Sequence, residues 1–153
     1  NRRYAMDRLK EATTEAVRHS EPLSCIMLDL DEFKSINDKY GHHAGDKVLQ
    51  EISEIFKNAA RTYDTICRMG GEEFLIISSR NDSASTKLFA ERLRHDIEQH
   101  IIIVDGKSIS ITASFGVAQF ISESQDGEDL IRSADKAMYK AKIQGKNRVE
   151  VNA

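Results

Sequence analysis

Apolar residues recur along the chain with a period near 3.6 in some stretches and near two in others, and the changes of period predict the elements. Tyr4, Met6, Leu9, Ala12, Ala16 and Val17 share one face of a helix over residues 4–18, which breaks at Glu21-Pro22. Leu23 to Leu30 reads as a buried strand ending in Asp29-Leu30-Asp31-Glu32. Phe33 to Tyr40 predicts a short helix stopped by Gly41, and a longer amphipathic helix follows from about Gly45 to Ala60, with Val48, Leu49, Ile52, Ile55 and Phe56 on one side. Thr65–Met69 and Glu73–Ser78 predict two strands joined by a two-residue turn at Gly70-Gly71. A helix over 83–99 takes Ser83 or Ser85 as its N-cap. Ile101–Val104, the Asp105-Gly106 turn and Ile109–Phe120 read as a second hairpin. Asp129 to about Ile143 forms the last helix, and Arg148–Val151 a final short strand.

The order α-β-α-α-β-β-α-β-β-α-β contains the split β-α-β-β-α-β arrangement of ferredoxin-like and palm-like folds. The expectation is therefore an α+β domain, with a mainly antiparallel central sheet and helices on one face. A single Pro, no repeat and no linker among 153 residues make residues 1–153 one domain. The opening Asn1-Arg2-Arg3, without Met and inside a helical pattern, suggests a domain excised from a longer protein with an upstream sensor or dimerisation region. At 40% hydrophobic and 31% charged, the composition excludes a disordered chain. The longest apolar runs are four residues, as in Ile101–Val104, against the roughly 20 needed to cross a bilayer, so no direct membrane contact is expected. A net charge of −3 argues against DNA or RNA as a partner. Cys25 and Cys67 lie in apolar stretches and read as reduced core thiols, which with the absence of a secretory signal points to a cytoplasmic location.

Candidate chemistry gathers where strands end. Asp29 and Asp31 close the first strand, and Glu72 and Glu73 follow the Gly70-Gly71 turn; adjacent strands would set the two groups side by side. Such carboxylates either bind Mg²⁺ together with substrate phosphates or are solvated strand-end charges. An EF-hand is excluded, because counting from Asp29 places Phe33, Lys34 and Tyr40 at loop positions five, six and twelve. No glycine-rich phosphate loop occurs, so a nucleotide would be held by metal, by lysines such as Lys34 and by helix N-terminal amides at Phe33 and Lys34. Asn37 and Asp46 could read a guanine edge; singly they are a turn residue and a helix N-terminal charge. His42 and His43 lack a second ligand pair at zinc spacing. Arg61-Thr-Tyr-Asp64 is either an exposed salt bridge or an anion site. Lys140, Lys142 and Lys146 are a basic cluster or lysines compensating a helix dipole.

The stretch Arg68-Met-Gly70-Gly71-Glu72-Glu73-Phe74 resembles the signature of the GGDEF family of diguanylate cyclases, in its Gly-Gly-Glu-Glu-Phe form. The likeness extends to Asp29-Leu-Asp31-Glu-Phe33-Lys34-Ser-Ile-Asn37-Asp38-Lys-Tyr-Gly41-His42, to Gly45-Asp46, and to Ala134-Asp135-Lys-Ala-Met-Tyr139-Lys-Ala-Lys142-Ile-Gln-Gly145-Lys146-Asn147, in the family's order and spacing. The resemblance implies condensation of two GTP into cyclic di-GMP with release of two pyrophosphates, at the junction of a homodimer. It implies Mg²⁺, with Mn²⁺ as a substitute, on Asp29, the Leu30 carbonyl and Glu72. Glu72, Glu73 and Lys34 would serve catalysis. Phe33, Lys34, Asn37, His42, Asp46, Lys142 and Lys146 would bind GTP. Arg61 and Asp64, with Arg92 on the following helix, would form a product-inhibition site for cyclic di-GMP. Lys146 stands where the family more often has Arg, which keeps the charge and loses the bidentate fork. Two rival readings are a non-catalytic cyclic di-GMP receptor and another GTP cyclase or polymerase on a palm-like fold.

Overall fold

The computed structural model describes residues 1–152. In chain order the elements are α1 (Arg2–His19), β1 (Leu23–Leu30), α2 (Phe33–Tyr40), α3 (His42–Ala59), β2 (Asp64–Arg68), β3 (Glu73–Ser79), α4 (Ser83–Gln99), β4 (Ile102–Val104), β5 (Lys107–Ile109), β6 (Ala113–Gln119), α5 (Gly127–Ile143) and β7 (Arg148–Asn152). Five strands make one sheet in the order β2-β3-β1-β6-β7, antiparallel except for the parallel β6–β7 pair, while β4 and β5 form a separate ribbon. The α+β class and the mainly antiparallel sheet are as expected.

The helices do not lie on one face. Seven of the eight residues of β1 are buried, so both of its faces carry apolar surface that must be covered. Ile26, Leu28 and Leu30 pack with Val48, Ile52 and Phe56 of α3 and Phe89, Leu93 and Ile97 of α4. Cys25 and Met27, pointing the other way, pack with Leu9 of α1 and Leu130, Ala134 and Met138 of α5. A single helical layer would leave one of these two cores in water.

The second expected hairpin is also cut short. Ile109–Phe120 is not one strand, because the chain leaves the ribbon after Ile109 and enters the main sheet at Ala113. Between them Thr112 turns both its polar groups to Asp31: its carbonyl accepts from the Asp31 N–H at 2.8 Å and its hydroxyl donates to Asp31 Oδ2 at 2.7 Å. The Gly70-Gly71 connection is a four-residue loop, Met69 to Glu72, whose Met69 and Gly70 N–H groups both reach the Glu73 carbonyl, at 2.8 and 3.4 Å.

Helix starts differ from the sequence reading for local reasons. Asp82, not a serine, caps α4 by accepting from the Ser85 N–H at 2.8 Å. Asp126 and Asp129 form a reciprocal capping box that starts α5 at Gly127. Asn1 is not inside a helix but caps α1, accepting from the Tyr4 N–H at 2.9 Å. Gly116 of β6 decides how closely α5 approaches the sheet: a Cβ there would lie 2.1 Å from the Ala134 carbonyl oxygen and 2.2 Å from the Met138 nitrogen.

Candidate active site

Pairing of β1 with β3 places Asp29 opposite Glu73, and pairing with β6 places it opposite Ser114. One residue on, the Leu30 N–H donates to the Glu72 carbonyl at 3.1 Å, so the loop carrying Glu72 is fastened to the end of β1. The two acidic groups expected to meet therefore do. Burial raises the Glu73 carboxyl above the ordinary glutamate range, and the negative charges of Asp135, Asp29 and Glu72 raise it further against a smaller opposing effect of Arg2. Arg68 steadies the hairpin tip, its Nε donating to the Gly70 and Gly71 carbonyls at 3.1 Å each and a terminal nitrogen to Gly71 at 2.8 Å.

Lys142, near the end of α5, reaches into the cluster. Its Nζ lies 2.8 Å from Asp29 Oδ1 and 2.8 Å from Asp31 Oδ1. Burial by itself would lower this ammonium, but the bonds to Asp29 and Asp31 outweigh it and raise it above the usual lysine value. Asp31 is 5% exposed and accepts from Ser114 Oγ at 2.7 Å, Thr112 Oγ1 at 2.7 Å, the Asn147 N–H at 3.0 Å and Lys142. Burial pushes its carboxyl up, yet the hydrogen bonds from Lys142, Ser114 and Thr112 win and hold it below the ordinary range. The sequence offered Asp31, with the other strand-end carboxylates, as a cation ligand or a solvated charge; a solvated charge it is not, because it is buried and hydrogen-bonded. The signal was the polar pair Thr112 and Ser114, two apart where the chain enters β6.

On the other side of β1, α2 begins at Phe33 after Glu32, which has a left-handed φ of 55°. The Phe33 side chain is buried in the core, and the N–H groups of Phe33 and Lys34 find no acceptor among the described residues, which leaves them available to an anion. Lys34, His42 and Asp46 are exposed around this end of the molecule, while Asn37 is partly buried. Gly45 lets Asn37 settle against α3, since a Cβ at Gly45 would lie 1.9 Å from Asn37 Oδ1. Lys146 is elsewhere than a free phosphate ligand would be: its ammonium is paired with Glu32. Its neighbour Asn147 is held by Arg94, at 3.0 Å, and by Glu98 of α4.

Arg61, Asp64 and Arg92 come together on the α3/α4 side. The guanidinium groups of Arg61 and Arg92 lie 4.9 and 5.3 Å from the centre of the same Phe89 ring. The Asp64 side chain is fully enclosed, accepting from the Arg61 N–H at 2.9 Å and from Ser78 Oγ at 2.9 Å.

Asp29, the Leu30 carbonyl and Glu72 offer only oxygen donors, which fits Mg²⁺ or Mn²⁺. Among the described residues no three His, Cys, Asp or Glu side chains group as a metal site. A cation held there would need a backbone carbonyl and oxygens from outside the chain to complete its shell, as is usual for one that arrives with phosphates. The ammonium of Lys142 between Asp29 and Asp31 shows that the cluster accommodates positive charge. No helix among the described residues is long and apolar enough to cross a membrane.

A five-stranded mixed sheet flanked by helices, with carboxylates at the ends of its two central strands, defines a palm-type α+β domain. The chain belongs to the GGDEF family, whose model, described as the diguanylate cyclase GGDEF domain, matches residues 1–148. It is 42% identical over 132 residues to diguanylate cyclase A of Treponema denticola, covering 86% of this chain and 36% of that protein. It is 38% identical over 152 residues to the diguanylate cyclase DosC of Escherichia coli K12, covering 99% and 33%. The chain thus spans about a third of the length of these curated relatives. The active GGEEF domain of a diguanylate cyclase from Vibrio cholerae superposes with a TM-score of 0.93 at 33% identity, covering 100% of this chain and 97% of that one. The GGDEF domain of DgcB from Caulobacter crescentus, solved in complex with cyclic di-GMP, gives a TM-score of 0.95 at 29% identity, covering 99% and 88%.

Proposed function

We propose that this chain is the catalytic domain of a diguanylate cyclase, condensing two GTP into cyclic di-GMP and two pyrophosphates. The observation that carries this reading is the strand register that sets Asp29 against Glu73, beside Glu72 and within reach of Lys142, under a glycine tip. Gly70 and Gly71 have no left-handed φ, and a Cβ on either would meet nothing within 4 Å. Neither glycine is demanded by the chain's own packing, and both leave room for the close approach of a nucleotide or a second domain.

Asn37 and Asp46 bind the guanine edge, the carboxylate accepting from N1–H and the exocyclic amine, with His42 beside them. The Phe33 and Lys34 amides, Lys34, Lys142 and Lys146 hold the triphosphate; Lys146 exchanges Glu32 for phosphate to do so. Asp29, the Leu30 carbonyl and Glu72 would hold a divalent cation, which would supply neutralisation of charge at the reacting phosphate. The 3′-oxygen of one GTP forms a bond to the α-phosphorus of the other, the bond to the bridging oxygen breaks, and pyrophosphate leaves. The hydroxyl proton passes into the acidic cluster that includes Glu73. Two such steps close the ring. One domain holds one GTP, so the two sites meet face to face across a homodimer, and holding them in line provides most of the acceleration. Cyclic di-GMP bound at Arg61, Asp64 and Arg92 limits turnover by keeping two domains apart. The named activities of the relatives, and the cyclic di-GMP seen with DgcB, support the reading.

The test is to join the domain to a dimerising coiled coil, supply GTP and Mg²⁺ and identify the products by mass spectrometry. Cyclic di-GMP with pyrophosphate is expected, and Glu72→Gln and Asp29→Ala each remove it. Wild-type turnover in either variant overturns the site, and GTP binding without product favours the receptor.

A further inference from the structure

The most connected buried polar group in the described chain is Asp31, and the reaction above leaves it without a part. Its carboxylate gathers groups from four places: Thr112 in the β5–β6 connection, Ser114 of β6, the Asn147 N–H beyond α5, and Lys142 of α5. Only Lys142 among them is also bonded to Asp29. Asp29 is the first of the cation ligands named above, so a cation held there would compete with the ammonium of Lys142 for that carboxylate. An ammonium held by Asp29 alone would then be set free on a long flexible side chain.

We propose that Asp31 is the positioning residue for the triphosphate: it keeps Lys142 and the Asn147 loop in place when the cation accompanying the nucleotide takes Asp29. This rests on the cyclase reading. Asp31 is suited to the task because its three other contacts fix it before any ligand arrives. Its orientation is set by two hydroxyls from the strand region beside β1 and one backbone amide, all within 3.0 Å. Lys142 can swing from Asp29 to a phosphate oxygen while one of its three N–H donors stays on Asp31. The same carboxylate, through Asn147, fixes the loop that carries Lys146. Two phosphate-binding lysines are thus referred to one buried point, and α4 braces that point from behind through Arg94 and Glu98.

The experiment is a double-mutant cycle on nucleotide affinity, using Asp31→Asn, Lys142→Met and the pair. The probe is 3′-deoxy-GTP with Mg²⁺, which lacks the attacking hydroxyl and so binds without reacting. Each single change is expected to weaken binding roughly tenfold, the order of one charge-assisted hydrogen bond, and the pair by little more than either alone. Additive losses overturn the positioning role, because a carboxylate that merely held the fold together would act whether or not Lys142 were present. A second measurement serves if Asp31→Asn does not fold. In Asp29→Asn, the ¹⁵N-labelled ammonium of Lys142 is expected to stay protected from exchange with water, held by Asp31 alone. Loss of that protection overturns the proposal. A wild-type chain that binds no 3′-deoxy-GTP overturns the cyclase reading instead, since the ammonium signal is read without nucleotide.

Discussion

A methyl group added at Gly45 would stand 1.9 Å from Asn37 Oδ1 and 3.2 Å from the Phe33 ring. The Asn37 amide must therefore leave its place against α3 if residue 45 becomes alanine. Gly45→Ala is expected to cost about 1–3 kcal/mol of stability by overpacking, read by urea denaturation. GTP affinity, read by calorimetry, falls with it because the guanine edge loses its amide. The thiol of Cys25 is a second single-residue case. Burial pushes it up to about 12 from an ordinary 9.0, so it stays protonated in the fold while the unfolded chain ionises. Its contribution to stability is intact below pH 9.0 and is lost as pH climbs from there toward 12. A disulfide reagent at pH 8 is expected to leave Cys25 unmodified in the native protein and to label it at once in denaturant.

Elements were legible in the sequence wherever their periodicity was strong, and illegible where a distant residue decides. The helix from Phe33 to Tyr40 has the bounds its pattern predicts, because Phe33 and Ile36 fill the core and Gly41 turns the chain with a φ of 91°. The break between β5 and β6 could not be read, since it depends on Asp31, which bonds Thr112 from 81 positions away. Caps were missed for a smaller reason: Asp82 does the work that Ser83 or Ser85 was expected to do, and Asp126 starts α5 two residues before the expected Asp129. Asp126→Ala is expected to cost about 1 kcal/mol by thermal or urea unfolding, with GTP affinity unchanged, as the N-terminus of α5 is remote from Lys142. Gly116→Ala differs. Its methyl would meet the backbone of α5, 2.1 Å from the Ala134 oxygen, and backbone cannot step aside as a side chain can. The helix lifts from the sheet and takes Lys142 with it. Stability falls by about 3 kcal/mol, and nucleotide binding falls beyond what unfolding explains, which calorimetry on the folded fraction measures.

At the scale of the whole molecule, the helices divide two tasks between the faces of the sheet. α5 brings Lys142 to the acidic cluster from one face, while the connection after α3 presents Arg61, and α4 itself presents Arg92, on the other. Arg61→Ala is expected to leave the initial rate of cyclic di-GMP synthesis unchanged and to relieve inhibition by added product, seen as progress curves that no longer flatten. Asp64→Ala is the poorer probe, because its enclosed carboxylate also holds Ser78 and loses a structural bond. The meeting of the strand-end carboxylates was legible because they flank a glycine pair; that Lys142 lies on Asp29 was not, since nothing local in the chain records the approach of α5. The open tip at Gly70 and Gly71 has a consequence for how this domain tolerates change. Libraries randomised at these two positions and screened for soluble, folded protein are expected to return many residue types, while the same libraries screened for turnover converge on glycine. Folding exerts no selection there, so a variant can pass every test of integrity and still have lost its chemistry.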